Sequence, residues 1–133
     1  MVPDPPALDV TDTAQQAGEE LADPEMRAVL VCDEGTLVGV VTRKTLVRGV
    51  VAAGLDPRGV ALREIAEPPN FTLDAGLELD GAFRFLEEED LERVPVVEEG
   101  GRLVGVLSRA VVQRRLAEDE PPEGEPEPGS VVL

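Results

Sequence analysis

"RVPVVEEGGRLVGVLSR", residues 93–109, contains two short apolar runs separated by a loop with two glycines. Both runs are Val-rich and short, and a few Gly-bearing residues between two such runs point to a hairpin. The second run ends on Ser108 and passes straight into "RAVVQRRLAE", where Val111, Val112 and Leu116 recur at helical spacing. The local order is therefore strand, hairpin, strand, helix.

The same order has already occurred once in the chain. "LVGVVTRKTLV" (37–47) answers "LVGVLSRAVVQ" (103–113) at an offset of 66, and "RAVLVCDEGT" (27–36) faces "RVPVVEEGGR" (93–102) at the same offset. Further back the offset shrinks: Ala17 and Leu21 answer Ala82 and Leu86 at 65, and "DPPALDV" (4–10) answers "EPPNFTL" (67–73) at 63. Two short insertions account for that drift, so the chain reads as two copies of one unit. In each copy a short extended piece (8–10 or 71–73) follows a double proline, which interrupts helix and sheet alike. A helix follows, with Ala14, Ala17 and Leu21 on its apolar face in the first copy and Leu79, Ala82, Phe83 and Leu86 in the second. Then come the two strands and a closing helix, the first bearing Leu46, Val47, Val50 and Val51. The unit is β-α-β-β-α, an α/β (α+β) fold. We divide the chain into residues 1–60, 61–118 and an acidic, Pro-rich tail at 119–133. Gly35, Gly100 and Gly101 read as turn residues with positive φ.

That order, with "LVGVVTR" and "VPVVEEGGRLVGVLSR" as its most specific stretches, resembles the cystathionine beta-synthase (CBS) domain, which occurs in tandem pairs called Bateman modules. The resemblance implies two repeats packed through their sheets with pseudo-twofold symmetry and with clefts between them, often in a flat homodimer. It also implies a regulatory role, since many members bind adenine nucleotides or adenosyl compounds and act on an attached or partner protein.

Charge narrows the partners. Twelve Lys and Arg against 28 Asp and Glu give a formal net charge of -16, which repels nucleic acid and anionic lipid. The apolar runs are far shorter than the roughly 18 residues of a membrane span, and the first residues do not read as a secretory leader; the expectation is a cytoplasmic protein. The tail is too rich in Pro, Glu and Gly to offset its ordering entropy and reads as disordered. With no His and a single Cys32 inside an apolar run, the chain lacks the usual nucleophile and base pairs, and the expectation is no enzyme. "EEED" at 87–90 reads as a solvated charge run rather than a metal site.

The repeated strand-to-helix turn supplies the candidate site. Thr42 and Ser108 stand where a hydroxyl and orphan backbone N–H groups meet, an arrangement that favours an anion. Capping alone, typically worth about 1 kcal/mol, explains both residues equally well. Arg43 and Arg109 follow them, and a cation at a helix start opposes the macrodipole, so capping does not call for it. These arginines point to a ligand, to a carboxylate across the interface, or to plain solvation. In nucleotide-binding members of the resembled family an Asp three residues beyond the Thr or Ser holds the ribose hydroxyls. Here those places are Thr45 and Val111. A hydroxyl accepts weakly where a carboxylate accepts two bonds, and Val accepts none.

The ligand-binding candidates are therefore Thr42, Arg43, Thr45, Ser108 and Arg109, with no catalytic or metal residue. The resemblance admits AMP, ADP, ATP or S-adenosylmethionine as ligand, a homodimer, and an unidentified regulated protein as partner. The alternative is a degenerate pair that has lost its ligand and serves as a dimerisation or docking scaffold.

Overall fold

Burial on both faces of one strand sets the architecture. In the computed structural model, which describes residues 4–119, strand β2 (Val29–Asp33) is buried over its first four residues. Val29 and Val31 enter the core of their own repeat, whereas Leu30 and Cys32 enter a second core shared with the other repeat. Side chains alternate with a period of two along a strand, so a strand covered on both faces needs an unbroken apolar run. "VLVC" is that run.

Around it the first repeat runs β1 (Ala7–Asp9), α1 (Ala14–Leu21), β2, β3 (Thr36–Val41) and α2 (Arg43–Leu46). β1 pairs parallel with β2, and β2 antiparallel with β3. The second repeat runs β4 (Leu73–Asp74), α4 (Leu79–Glu88), β5 (Arg93–Val97), β6 (Leu103–Ser108) and α5 (Arg109–Asp119), with the same pairing. Each repeat is a three-stranded sheet with its helices on one face. The other faces meet through Leu30, Cys32, Leu37 and Val40 on one side and Val97, Leu103 and Val106 on the other. The β-α-β-β-α unit thus occurs twice, packed sheet to sheet.

The pairing register corrects the repeat alignment. Val29 lies opposite Val41 and Val94 opposite Leu107, which sets β2 and β5 65 apart (94 − 29) and β3 and β6 66 apart (107 − 41). β1 and β4 also stand 65 apart, since Leu8 pairs with Val31 as Leu73 pairs with Val96. One extra residue in the second hairpin loop explains all the drift. The extended pieces shift with it, to Ala7–Asp9 and Leu73–Asp74.

The two hairpin loops lie against each other. Leu103 N donates to the Gly35 carbonyl at 2.9 Å, and a Cβ on Gly35 would sit 2.8 Å from Nη1 of Arg102. Gly35 also has φ 88°, and it is this conformation that requires glycine, since the Arg102 guanidinium is the mobile end of a long side chain.

The closing helix of the first repeat departs from a plain α-helix: after Leu46 it continues as a π-turn over Val47–Val51. Of its apolar residues Val50 is buried, whereas Val47 and Val51 are 54% and 70% exposed. The connection to the second repeat carries a short helix absent from the sequence reading, α3 (Leu62–Ile65). Leu62 completes the first core, and Leu62 N and Arg63 N donate to the carbonyls of Asp12 and Val10 at 2.8 and 3.0 Å. Beyond α3, Glu67 exchanges two backbone hydrogen bonds with Val40 on the edge of β3. Among the described residues no helix is long and apolar enough to cross a membrane. From residue 120 on, the tail read as disordered lies outside the described residues.

Candidate functional site

The two strand-to-helix turns are built alike up to one bond. Thr42 caps α2: its Oγ1 accepts from Thr45 N at 3.3 Å, and Thr45 Oγ1 accepts from Thr42 N at 3.0 Å. This reciprocal capping box satisfies two orphan donors and holds the Thr45 side chain inside the protein, 3% exposed. Ser108 Oγ accepts from Val111 N at 3.1 Å. Val111 has no oxygen for the return bond, so the second turn keeps half of the box.

The arginines that follow these caps serve the helix on the other side of the sheet order. Arg43 Nη2 donates to the carbonyl oxygens of Leu21 and Asp23 at 2.7 and 2.8 Å, at the C-terminal end of α1. Arg109 does the same for α4, with Nη2 to Leu86 O and Nε to Leu91 O, both at 3.1 Å. The last carbonyls of a helix are orphan acceptors at the negative end of its dipole, so a guanidinium there is favoured. That gain offsets the unfavourable position at the start of α2 or α5. Of the three roles open to these arginines, a ligand, a carboxylate across the interface or solvation, the bonds seen match none: the acceptors are carbonyls of the same repeat and, among the described residues, one local carboxylate, Asp90 Oδ1 at 3.2 Å from Arg109 Nη2. Thr42, Arg43 and Thr45 thus form one cluster and Ser108 and Arg109 another, each held by bonds within its own repeat.

A cleft lies elsewhere, where the two repeats meet. It has a volume of about 360 Å³. Its walls come in equivalent pairs under the corrected alignment: Arg27 and Glu92, Ala28 and Arg93, Val40 and Val106. The cleft therefore straddles the pseudo-twofold axis. Its floor is aliphatic, with Val40, Val94 and Val106, and Phe71 lies at one side. Two cations face it. Arg93 is largely buried and its Nε lies 2.9 Å from Oδ1 of Asp4, whereas Arg27 is exposed and, among the described residues, has no carboxylate at ion-pair distance. Asp90 and Glu92 also border the cleft, Asp90 already bonded to Arg109.

None of the five sequence candidates lines this cleft. Thr45 borders a second cavity of about 320 Å³, beside Arg48, Glu64 and Glu67. Arg27 and Arg93 were missed as site residues, although both precede the apolar runs of β2 and β5 in a chain with only 12 cations. Their convergence depends on how the sheets pack, which the repeat pattern by itself does not reveal.

Metal-ligating groups do not gather here. Among the described residues no three His, Cys, Asp or Glu side chains stand together as a metal site. Cys32 is buried between the sheets, and desolvation, followed by the nearby Asp9 charge, pushes its thiol above the ordinary range.

Comparison with known proteins fits this architecture. The CBS domain family model matches residues 1–52 and 62–118. Hypoxic response protein 1 of Mycobacterium tuberculosis is 32% identical over 108 residues, 80% of this chain and 75% of that protein. The crystal structure of Hypoxic Response Protein I, with two coordinated zinc ions, superposes with a TM-score of 0.63 at 28% identity over 82% of this chain and 89% of that one. The crystal structure of CBSX2 in complex with AMP gives 0.62 at 25% identity over 84% and 87%.

Proposed function

Because the chain belongs to the CBS domain family, we propose that it is a regulatory module that senses an adenine nucleotide or related adenosyl ligand in the cleft between its repeats. The observation that carries this reading is the pair Arg27 and Arg93 above an aliphatic floor, in a chain whose net charge is -16. Guanidinium groups bind phosphate through paired charge-assisted hydrogen bonds, and an apolar floor suits a purine ring. The cleft volume of about 360 Å³ falls within the range of small-molecule sites, about 300–1,000 Å³. The AMP complex of CBSX2 supports the ligand class.

Phosphate recognition dominates in this reading, and ribose recognition is reduced. Thr45 and Val111 stand where nucleotide-binding members carry a carboxylate, so Thr45 beside the second cavity offers a hydroxyl at most. Thr42, Arg43, Ser108 and Arg109 fix the two turns. Zinc does not fit the residues present: the chain has no His and its one Cys lies buried between the sheets.

A second reading is favoured by the surface of the first repeat. Val47, Val51 and Leu55 follow one another at four-residue spacing and are 54%, 70% and 50% exposed. Such a face suits a homodimer contact, and with the acids missing from both turns it also suits a scaffold that has lost its ligand.

A melt followed by circular dichroism, in a chain without Trp or Tyr, tests the two readings. AMP, ADP, ATP and S-adenosylmethionine are added in turn. A ligand at one hundred times its dissociation constant stabilises by about 2.7 kcal/mol, a rise on the order of ten degrees. A rise with one of them supports the sensor, and an unchanged midpoint with all four favours the scaffold.

A further inference from the structure

We infer that the segment entering β1 is a strap that carries an internal counter-ion: Asp4 occupies Arg93 until an anionic ligand displaces it. The inference rests on the reading of the cleft as an anion site. Asp4 Oδ1 lies 2.9 Å from Arg93 Nε, and the two partners differ in freedom, with side chains 64% and 15% exposed. The arginine is held in the wall of the cleft, while the carboxylate reaches it from solvent. It is the movable half of the pair.

The strap is rooted close by. The carbonyl of Pro6 accepts from Leu30 N at 2.8 Å, and Pro5 borders the cleft itself. Two successive prolines restrict the backbone between that anchor and Asp4, so the carboxylate is delivered to one place. The contact is also one-sided. Under the 65-residue offset the position equivalent to Asp4 is Pro69, which has no charge to offer, and Arg27 keeps no carboxylate at ion-pair distance among the described residues. Asp4 belongs to the first repeat and Arg93 to the second, so a ligand that takes Arg93 releases a tie between the repeats. Occupancy of the cleft thereby reaches the first strand of the module.

The test is calorimetric titration of ATP into the full chain and its Asp4→Asn, Asp4→Glu and Arg27→Gln variants, at low and high salt. Removing an ion pair with one exposed partner tightens ATP binding by about two- to fivefold in Asp4→Asn, and the gap narrows as salt screens the pair. Asp4→Glu keeps the charge and stays near the parent affinity. If the parent binds ATP, Arg27→Gln weakens it and Asp4→Asn leaves affinity unchanged or lower, the strap is overturned while the cleft reading stands. If neither the parent nor Asp4→Asn binds, or if Arg27→Gln has no effect, the cleft reading fails and the strap falls with it.

Discussion

The guanidinium of Arg43 donates a 2.7 Å hydrogen bond to the carbonyl of Leu21, the last residue of α1. Arg109 repeats the contact with Leu86 at the end of α4. Each arginine thus joins the helix after the sheet to the helix before it. Arg43→Ala strands the Leu21 carbonyl, while Asp23 O keeps its bond from Met26 N, and should lower stability by about 1–3 kcal/mol, measured as the urea midpoint. Arg43→Lys should recover only part of it, because both bonds come from Nη2 at the far end of the planar guanidinium, a position that a flexible, more strongly hydrated ammonium does not hold. An unchanged midpoint in Arg43→Ala would show the cap to be energetically idle.

Thr45 gives a second test. Its hydroxyl closes the capping box with Thr42, and its repeat equivalent is Val111. Thr45→Val preserves shape, removes the acceptor for Thr42 N, and should cost about 1–2 kcal/mol. Thermal denaturation by circular dichroism reads this directly. A melt equal to the parent's would mean that Thr42 N finds another partner.

Two glycines should respond with opposite signs. A Cβ on Gly39 would lie 2.8 Å from Ala66 Cβ and 3.0 Å from Glu67 O, where the connection pairs with Val40. Gly39→Ala must push that segment off the sheet edge and should destabilise by about 1–3 kcal/mol. Gly18 lies inside α1 and its Cβ would meet Leu46 Cδ1 at 3.8 Å, an ordinary contact. Gly18→Ala should stabilise by about 0.5–1 kcal/mol. Matched denaturant titrations of the two variants check both signs.

Cys32 reports on the inter-repeat core. The buried thiol is held neutral, with its pKa raised by desolvation and then by Asp9. Stability linked to the neutral thiol is complete below the ordinary thiol range and is lost as pH rises through the raised folded value. A thiol-specific disulfide reagent should react slowly with the folded protein and at once in denaturant. Rapid reaction of the folded protein would show that the sheets part readily.

The doubled unit was legible because each part of its pattern has a local cause. An unbroken apolar run marks β2, helical spacing marks α1 and α4, and the Thr and Ser caps mark the starts of α2 and α5. The single loop insertion was misplaced because Val-rich strands align almost equally well one residue out of step, and only the pairing of Val29 with Val41 fixes them. The job of Arg43 was hidden for a different reason: its acceptors lie 20 and 22 residues away along the chain. Arg27 and Arg93 meet at one cleft through sheet packing alone, so no spacing in the sequence announces them.

The most direct test of the cleft is equilibrium binding of ATP to the parent chain, Arg27→Gln, Arg93→Gln and Thr42→Ala, compared at one salt concentration. With phosphates held by the two cleft arginines, each arginine variant should weaken binding at least tenfold, about 1.4 kcal/mol. Thr42→Ala should bind like the parent. Undiminished binding in both arginine variants, or loss of binding in Thr42→Ala alone, would contradict the account and return the site to the strand-to-helix turn.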